Sequence, residues 1–467
     1  MKNDSVQRNA LLIATLSSFL TPFMGSSVIV SLPRIGHDLS MNVITLSWIS
    51  TAYQLAAAAF LVPFGRLSDI HGRKRIFLLG ILLDNFSSLL GAFSTSSGML
   101  ITARIFQGMG GAMIFGTSVT IVTSVFPPQQ RGRALGITVA GVYAGLSTGP
   151  FIGGFLTGHL GWRSVFLSNV LIGIMILVTT LWKLKGEWAE ARGEKFDLVG
   201  SLIYVVSLVS MMYGLSLVPA LPAFILVMFG VTGIACFVVW EMKVGSPVLE
   251  MRLFRRSRTF LFSNLAALIN YSATFAVTFL MSLYLQYIKG FSPQATGLVL
   301  VSQPLIMALF SPLAGRLSDR SGPRIVASVG MAVMVIGLSF FVFLREETRL
   351  LYIIPNLMLL GLGFALFSSP NANAIMSSVD KKYFGVAGGM MGTMRLTGQM
   401  FSMGVVMVTL AVFHIAGVMI TPAYHASLLQ TTRTAFTIFA VFSFVGVFAS
   451  LARGRSRWGF QGLAKLR

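Results

Sequence analysis

Apolar runs of about 20 residues recur along this 467-residue chain, and each is long enough to cross a hydrocarbon core of ~30 Å as an α-helix. Backbone polar groups find no water inside a bilayer, so a spanning chain must be helical or a closed barrel. Here the runs are continuous rather than alternating. An all-α polytopic membrane protein is the expected fold class. The spans fall roughly at 10–32, 44–64, 76–96, 98–124, 134–158, 163–183, 198–218, 222–241, 259–287, 294–314, 323–344, 350–376, 385–413 and 432–452, which makes fourteen. An even number puts both termini on one face. The first run is longer than a secretory signal core and reaches Pro33 without a small-residue cleavage site, so it is expected to be retained.

A formal charge of +21 would suggest a nucleic-acid partner in a soluble protein. Its distribution argues against that reading. Most of the 35 Lys and Arg fall in loops on the amino-terminal side, and only Arg104 and Arg395 lie inside apolar runs. That asymmetry predicts cytoplasmic termini in a cell membrane. The basic tail at 453–467, with Trp458 and Phe460, reads as an interfacial segment against anionic headgroups. Cys236 is read as a small packing residue. The five histidines stand apart, and neither a metal nor a cofactor is expected.

Between the second and third runs lies a charged turn, Gly65-Arg66-Leu67-Ser68-Asp69-Ile70-His71-Gly72-Arg73-Lys74-Arg75. It occurs twice. Gly315, Arg316, Leu317, Ser318, Asp319 and Gly322 repeat six of its residues 250 positions on, which implies two related halves. The expected organisation is a six-helix bundle at 1–186, a linker with two inserted helices at 187–258, a second six-helix bundle at 259–452, and a tail at 453–467. Spacing of four residues puts Asp69 on one face with Gly65 and with Arg73, so Asp69 can meet an Arg and the positive end of the following helix. Gly65 allows close approach. A solvated turn is the bland alternative, and Pro323, standing where the first copy has Arg73, predicts a weaker second clamp.

These motifs resemble the loop signature of the major facilitator superfamily. Arg104-Ile-Phe-Gln107-Gly108-Met-Gly110-Gly111-Ala112 is similar to its fourth-helix signature, and Gly145-Leu-Ser-Thr-Gly149-Pro150-Phe-Ile-Gly153-Gly154 to the fifth-helix signature of its antiporters. The fourteen runs, Phe196-Asp197-Leu198-Val199-Gly200 and Arg395-Leu-Thr-Gly398 resemble the drug:proton antiporter branch. The resemblance implies alternating access, with Gly65, Asp69, Gly72, Arg73, Lys74, Gly315, Asp319 and Gly322 as gating positions. It also implies that Arg104, Gln107 and Arg395 serve proton coupling or a substrate-responsive network.

Physically, Arg104 near mid-membrane costs at least ~2.5–3.5 kcal/mol and must face a cavity or a partner, snorkelling being the bland alternative. Asp84 is the carboxylate placed well inside a run. It reads either as a residue bonded to Asn85 or Ser87 or as a buried proton carrier. Gly141, Gly145, Gly149 and Gly153 form a bare stripe that admits another helix, and Pro150 should bend its own helix. By resemblance this helix, Gly154 included, lines the seam between halves and limits leak. Many members of the branch carry an Asp in the first helix where this chain has Met24, which implies relocated coupling or a different substrate set.

A midplane pocket is expected between the halves. Its candidate lining is Met24, Tyr53, Gln54, Gln107, Tyr143, Asn270, Tyr271, Gln303, Asn371, Asn373 and Gln399, each of which could equally serve interhelical hydrogen bonding. The functional expectation is a monomeric exporter of small amphiphiles driven by protons, with no enzymatic activity. The alternatives are an exporter of one metabolite, such as a siderophore, sugar or amino-acid derivative, and a transporter-like receptor without flux.

Overall fold

A computed structural model describes residues 2–249, 251, 254–255, 257–379, 384–415 and 417–453. Fourteen helices are long and apolar enough to span a membrane, and no strand occurs among the described residues. The first six are α1 (Lys2–Asp38), α2 (Val43–His71), α3 (Arg73–Ala92), α4 (Ser97–Val125), α5 (Pro128–Leu160) and α6 (Arg163–Lys183). Then come α7 (Leu198–Ser216) and α8 (Leu221–Lys243). The last six are α9 (Arg258–Leu283), α10 in two segments (Pro293–Leu300 and Ser302–Ser321), α11 (Pro323–Val342), α12 (Leu350–Ser377), α13 (Phe384–Val412) and α14 (His425–Leu451). The molecule is a multi-pass membrane protein.

Helix ends follow local chemistry. Asn42, Ser96, Asp197, Ser257 and Ser292 each accept a backbone N–H of the first turn that follows, so donors without an intrahelical partner are satisfied by a side chain. Gly72 and Gly322 separate α2 from α3 and α10 from α11 at φ +116° and +85°, backbone that favours glycine. Two departures from the expected spans concern the last six helices. A π-helical turn, Tyr284–Ile288, extends α9, and α10 breaks at Val301 instead of running straight from 294 to 314.

Within the first six helices α1 packs along α5, and α4 packs against both α2 and α3. The last six repeat the scheme, with α9 against α13 and α12 against both α10 and α11. The inserted pair α7 and α8 packs together, and α7 reaches α2 and α13, where the Tyr204 hydroxyl donates to the carbonyl of Ala58 at 3.3 Å. Cys236 is exposed on α8, which corrects its reading as a packing residue: α8 is the most exposed of the spans.

The two sets of six helices are bound together at the face opposite the amino terminus. Ser282 donates to the carbonyl of Ile29 at 3.0 Å, Gln286 to that of Val30 at 2.9 Å, and the backbone N–H of Val43 to that of Val418 at 3.1 Å. Nearer the amino-terminal face, Gly65 on α2 and Gly388 and Gly389 on α13 have open space where a side chain would project.

Candidate functional site

The charged turn is built as its spacing suggests, with one addition. Arg73, the first residue of α3, points back across Gly72 and donates twice to Asp69, through Nε at 3.0 Å and through Nη2 at 2.8 Å. Its Nη1 reaches Glu190 at 2.9 Å and the hydroxyl of Ser124 on α4. Arg73 is buried although a charged loop surrounds it. The addition is the stretch after α6, which reads in sequence as a linker. It lies flat on the turn: Glu194 accepts from Arg66 at 2.5 Å, Glu187 accepts the backbone N–H of Lys74 at 2.8 Å, and the N–H groups of Arg73 and Ala191 bond to the carbonyls of Trp188 and Asp69 at 2.9 and 3.0 Å. Glu187, Glu190 and Glu194 thus neutralise a basic turn. In the second copy Gly315 faces Ser369 and Gly322 closes the helix end, while the side chain of Asp319 lies outside the described residues.

In the interior, Arg104 and Asp84 belong to one network. Arg104 on α4 donates through Nε to the carbonyl of Ile49 at 3.0 Å and through Nη1 to the side-chain oxygen of Gln107, and its guanidinium lies 4.3 Å over the ring of Tyr53. Gln107 donates to the hydroxyl of Ser88 at 2.8 Å. Asn169 on α6 donates to that same hydroxyl and to Asp84 Oδ2, both at 2.8 Å. A hydrogen-bonded chain therefore runs Arg104, Gln107, Ser88, Asn169, Asp84. Arg104 meets partners and does not snorkel. The partner of the Asp84 carboxylate is neither Asn85 nor Ser87: Ser87 bonds to the Asp84 carbonyl, and Asn85 leaves both its amide atoms unpaired. Asn169 gave no local signal, because its place opposite α3 exists only in the folded bundle. The glycines beside Arg104 do not leave a void around it. A side chain at Gly110 would strike the backbone of Gly80 and Asp84, so that position brings α3 against α4.

The bare stripe on α5 faces α1, within the first six helices. A side chain at Gly153 would come within 2.6 Å of the Ser27 backbone, and Ser27 donates to the carbonyl of Gly149 at 2.9 Å. The other half is reached at the far end of the helix, where Gly154 abuts Pro293 and Gln294, and where Gly297 abuts Pro150. Gly154 and Pro150 thus touch the other half, whereas Gly145, Gly149 and Gly153 pack α1 to α5.

The polar residues expected in a central pocket divide in two. Tyr143 on α5 donates to Ser368 on α12 at 3.4 Å across the seam, and Tyr271 on α9 stacks edge-on to Phe364 at 5.5 Å, with Arg395 and Tyr143 as its neighbours. Arg395 on α13 lies 5.0 Å from the ring of Phe115 on α4. Tyr53 belongs instead to the Arg104 network, its ring lying 4.3 Å under that guanidinium. Asn270 lies apart as well: its amide reaches Met334 Sδ at 3.3 Å inside the last six helices. Met24, Gln54, Gln303 and Asn371 are buried, Gln399 is half-buried, and Asn373 is exposed near the end of α12. Sequence reasoning missed Phe115, Phe364 and Ser368, which look like ordinary apolar-run residues.

Comparison with known proteins agrees with this arrangement. The Major Facilitator Superfamily profile matches residues 14–403 and 263–458. The riboflavin transporter RibZ of Clostridioides difficile is 31% identical over 388 residues, 82% of this chain and 84% of the relative. The multidrug resistance protein Stp of Mycobacterium tuberculosis is 30% identical over 394 residues, 83% of this chain and 73% of the relative. A crystal structure of a peptide transporter superposes with a TM-score of 0.69 at 15% identity, covering 97% of this chain and 99% of the other, which is a likeness of fold. The family match over nearly the whole chain, two sets of six helices that pack alike, and aromatic and arginine side chains meeting at their seam make this chain a membrane transporter of the Major Facilitator Superfamily.

Proposed function

We propose that the protein exports amphiphilic small molecules across the cytoplasmic membrane in exchange for protons, by alternating access, with both termini in the cytoplasm. The observation that carries the proton step is the chain from Asp84 to Arg104. Among the described acidic residues, Asp84 is the one placed inside a span away from its ends, and it is buried. A carboxyl withdrawn from water and tied by hydrogen bonds to a guanidinium is suited to take up and release a proton while the bonds around it rearrange. Met24, where the branch commonly has Asp, is consistent with coupling placed at Asp84.

The gate belongs to the same reading. The open space at Gly65, Gly388 and Gly389 supports an inward-facing state in this reading, with the Asp69–Arg73 turn trading contacts as the amino-terminal end of α13 closes onto the last turn of α2. Residues 187–258 then serve as a strap and an inserted helix pair beside two rocking bundles, in a monomer surrounded by lipid with anionic headgroups.

The test is transport in sealed proteoliposomes under an imposed pH gradient, with fluorescent amphiphiles of either charge and a proton-sensing dye. Wild type should move solute and protons in opposite directions, and Asp84→Asn should retain solute exchange while losing its dependence on the gradient. Solute movement that ignores the gradient in wild type would defeat proton antiport. A narrower reading, in which the solute is one metabolite, is supported by the likeness to a riboflavin transporter, and a sharp substrate profile in the same vesicles would select it.

A further inference from the structure

The charge balance at the seam bears on what is carried. Arg395 lies about three turns into α13 on the side facing the other half, where Gly392, one turn earlier, packs against Phe115 and Leu61. Its Nε is buried without a hydrogen-bond partner, yet the residue as a whole is half-buried and so keeps access from the seam. Among the described residues it makes no ion pair. Asp84 does not offset it, being engaged with Asn169 between α3 and α6. Every other acidic residue among those described lies in a loop, in the amino-terminal segment or at a helix end.

Flat rings surround this cation. Phe115 lies against the guanidinium, Tyr271 and Phe364 meet edge to face, and Tyr143 and Ser368 add hydroxyl groups that can orient a polar substituent. A guanidinium is a planar fork that matches carboxylate and phosphate oxygens in pairs, and aromatic walls accept a flat apolar body. A cationic substrate would meet a like charge here with no carboxylate among the described residues to answer it, at a dielectric that strengthens the repulsion. We propose that the seam recognises compounds that join a planar aromatic ring system to a carboxylate or phosphate, with Arg395 holding the anionic group and Phe115, Tyr271 and Phe364 the rings. This inference rests on the exporter reading and names its substrate class.

Equilibrium binding to the full chain in detergent, with no gradient, tests it through two ring-matched pairs: carboxyfluorescein against rhodamine 6G, and flavin mononucleotide against lumiflavin. The expected result is that at least one anion binds wild type about tenfold or more tightly than its matched cation or neutral ring, and that Arg395→Gln removes that preference. Should Arg395→Gln fail to fold, Arg395→Lys and Phe115→Leu decide. Lysine keeps the charge but not the fork, and leucine removes the ring, so each should weaken the anion by several-fold. Neither anion preferred over its partner, or a preference unchanged in every folded variant, overturns the proposal. Binding without gradient-driven flux would instead defeat the exporter reading and leave the charge selectivity standing.

Discussion

Asn169 donates its side-chain amide to Asp84 at 2.8 Å, fastening α6 to α3 in the interior of the first six helices. Because Asn169 also bonds Ser88, its loss would strand a carboxylate and weaken the link to Arg104. Asn169→Leu is therefore expected to cost about 1–3 kcal/mol, the range for a buried polar group left unsatisfied. In an Asp84→Leu background the same change should cost at least about 1 kcal/mol less. Thermal or denaturant unfolding in detergent measures both, and strictly additive effects would show that the pair is not coupled.

The contacts of the turn differ in strength, and that difference is measurable. Glu194 is exposed although Arg66 is partly buried, so Glu194→Gln should change stability by only ~0–1 kcal/mol. Arg73 is 5% exposed and holds Asp69 through two of its nitrogens, so Asp69→Asn should cost roughly 1–3 kcal/mol while the protein stays inserted and transports more slowly. Full transport by Asp69→Asn would remove the turn from the gating cycle. Replacing Glu187, Glu190 and Glu194 together by Gln should expose Lys185, Arg192 and Lys195 to trypsin faster than in wild type, an effect that added salt should mimic in wild type.

What could be read from the chain depended on how local the cause was. The spans were legible because hydrocarbon selects for length and hydropathy within one segment, and Asp69 with Arg73 was legible because four residues separate them. Asn169 lies 85 residues from its partner, and nothing near it announces a contact. The stretch after α6 read as a linker because its charges look solvated; only the fold brings the basic turn beneath it. The bare stripe on α5 predicted a close helix, but not which one, since glycines specify how near a neighbour comes and not its identity. Phe115 was hidden for the opposite reason: an aromatic residue in an apolar run carries no mark until Arg395 arrives from the other half.

Gly65 separates a packing role from a gating role. It faces open space in this state, so Gly65→Ala should leave stability unchanged or raise it by about 0.5–1 kcal/mol, the usual gain for removing glycine from a helix. If α13 closes against α2 at this point during the cycle, the added methyl will slow transport at an unaltered melting temperature. Wild-type transport in Gly65→Ala would place the closing contact elsewhere. Gly153→Ala is the control, because its methyl would meet the Ser27 backbone and should destabilise the fold by about 1–3 kcal/mol.

Arg453, just past α14, is buried, stands 5.9 Å from the ring of Phe367, and has no hydrogen-bond partner for any guanidinium nitrogen among the described residues. Burial pulls its guanidinium down to about 9. The group is still protonated at neutral pH, so the folded protein bears the cost of a buried charge that no described residue answers. Arg453→Met, close in length and apolar, should therefore raise stability by about 1–4 kcal/mol. The sign of the pH dependence follows from the unfolded chain holding its proton more tightly than the folded one. The destabilisation is complete below about 9 and fades at more alkaline pH, so the advantage of Arg453→Met should be constant through neutral pH and shrink above it. Unfolding curves of both proteins across that range decide the matter, and a less stable Arg453→Met at neutral pH would mean that the guanidinium is compensated in the folded protein.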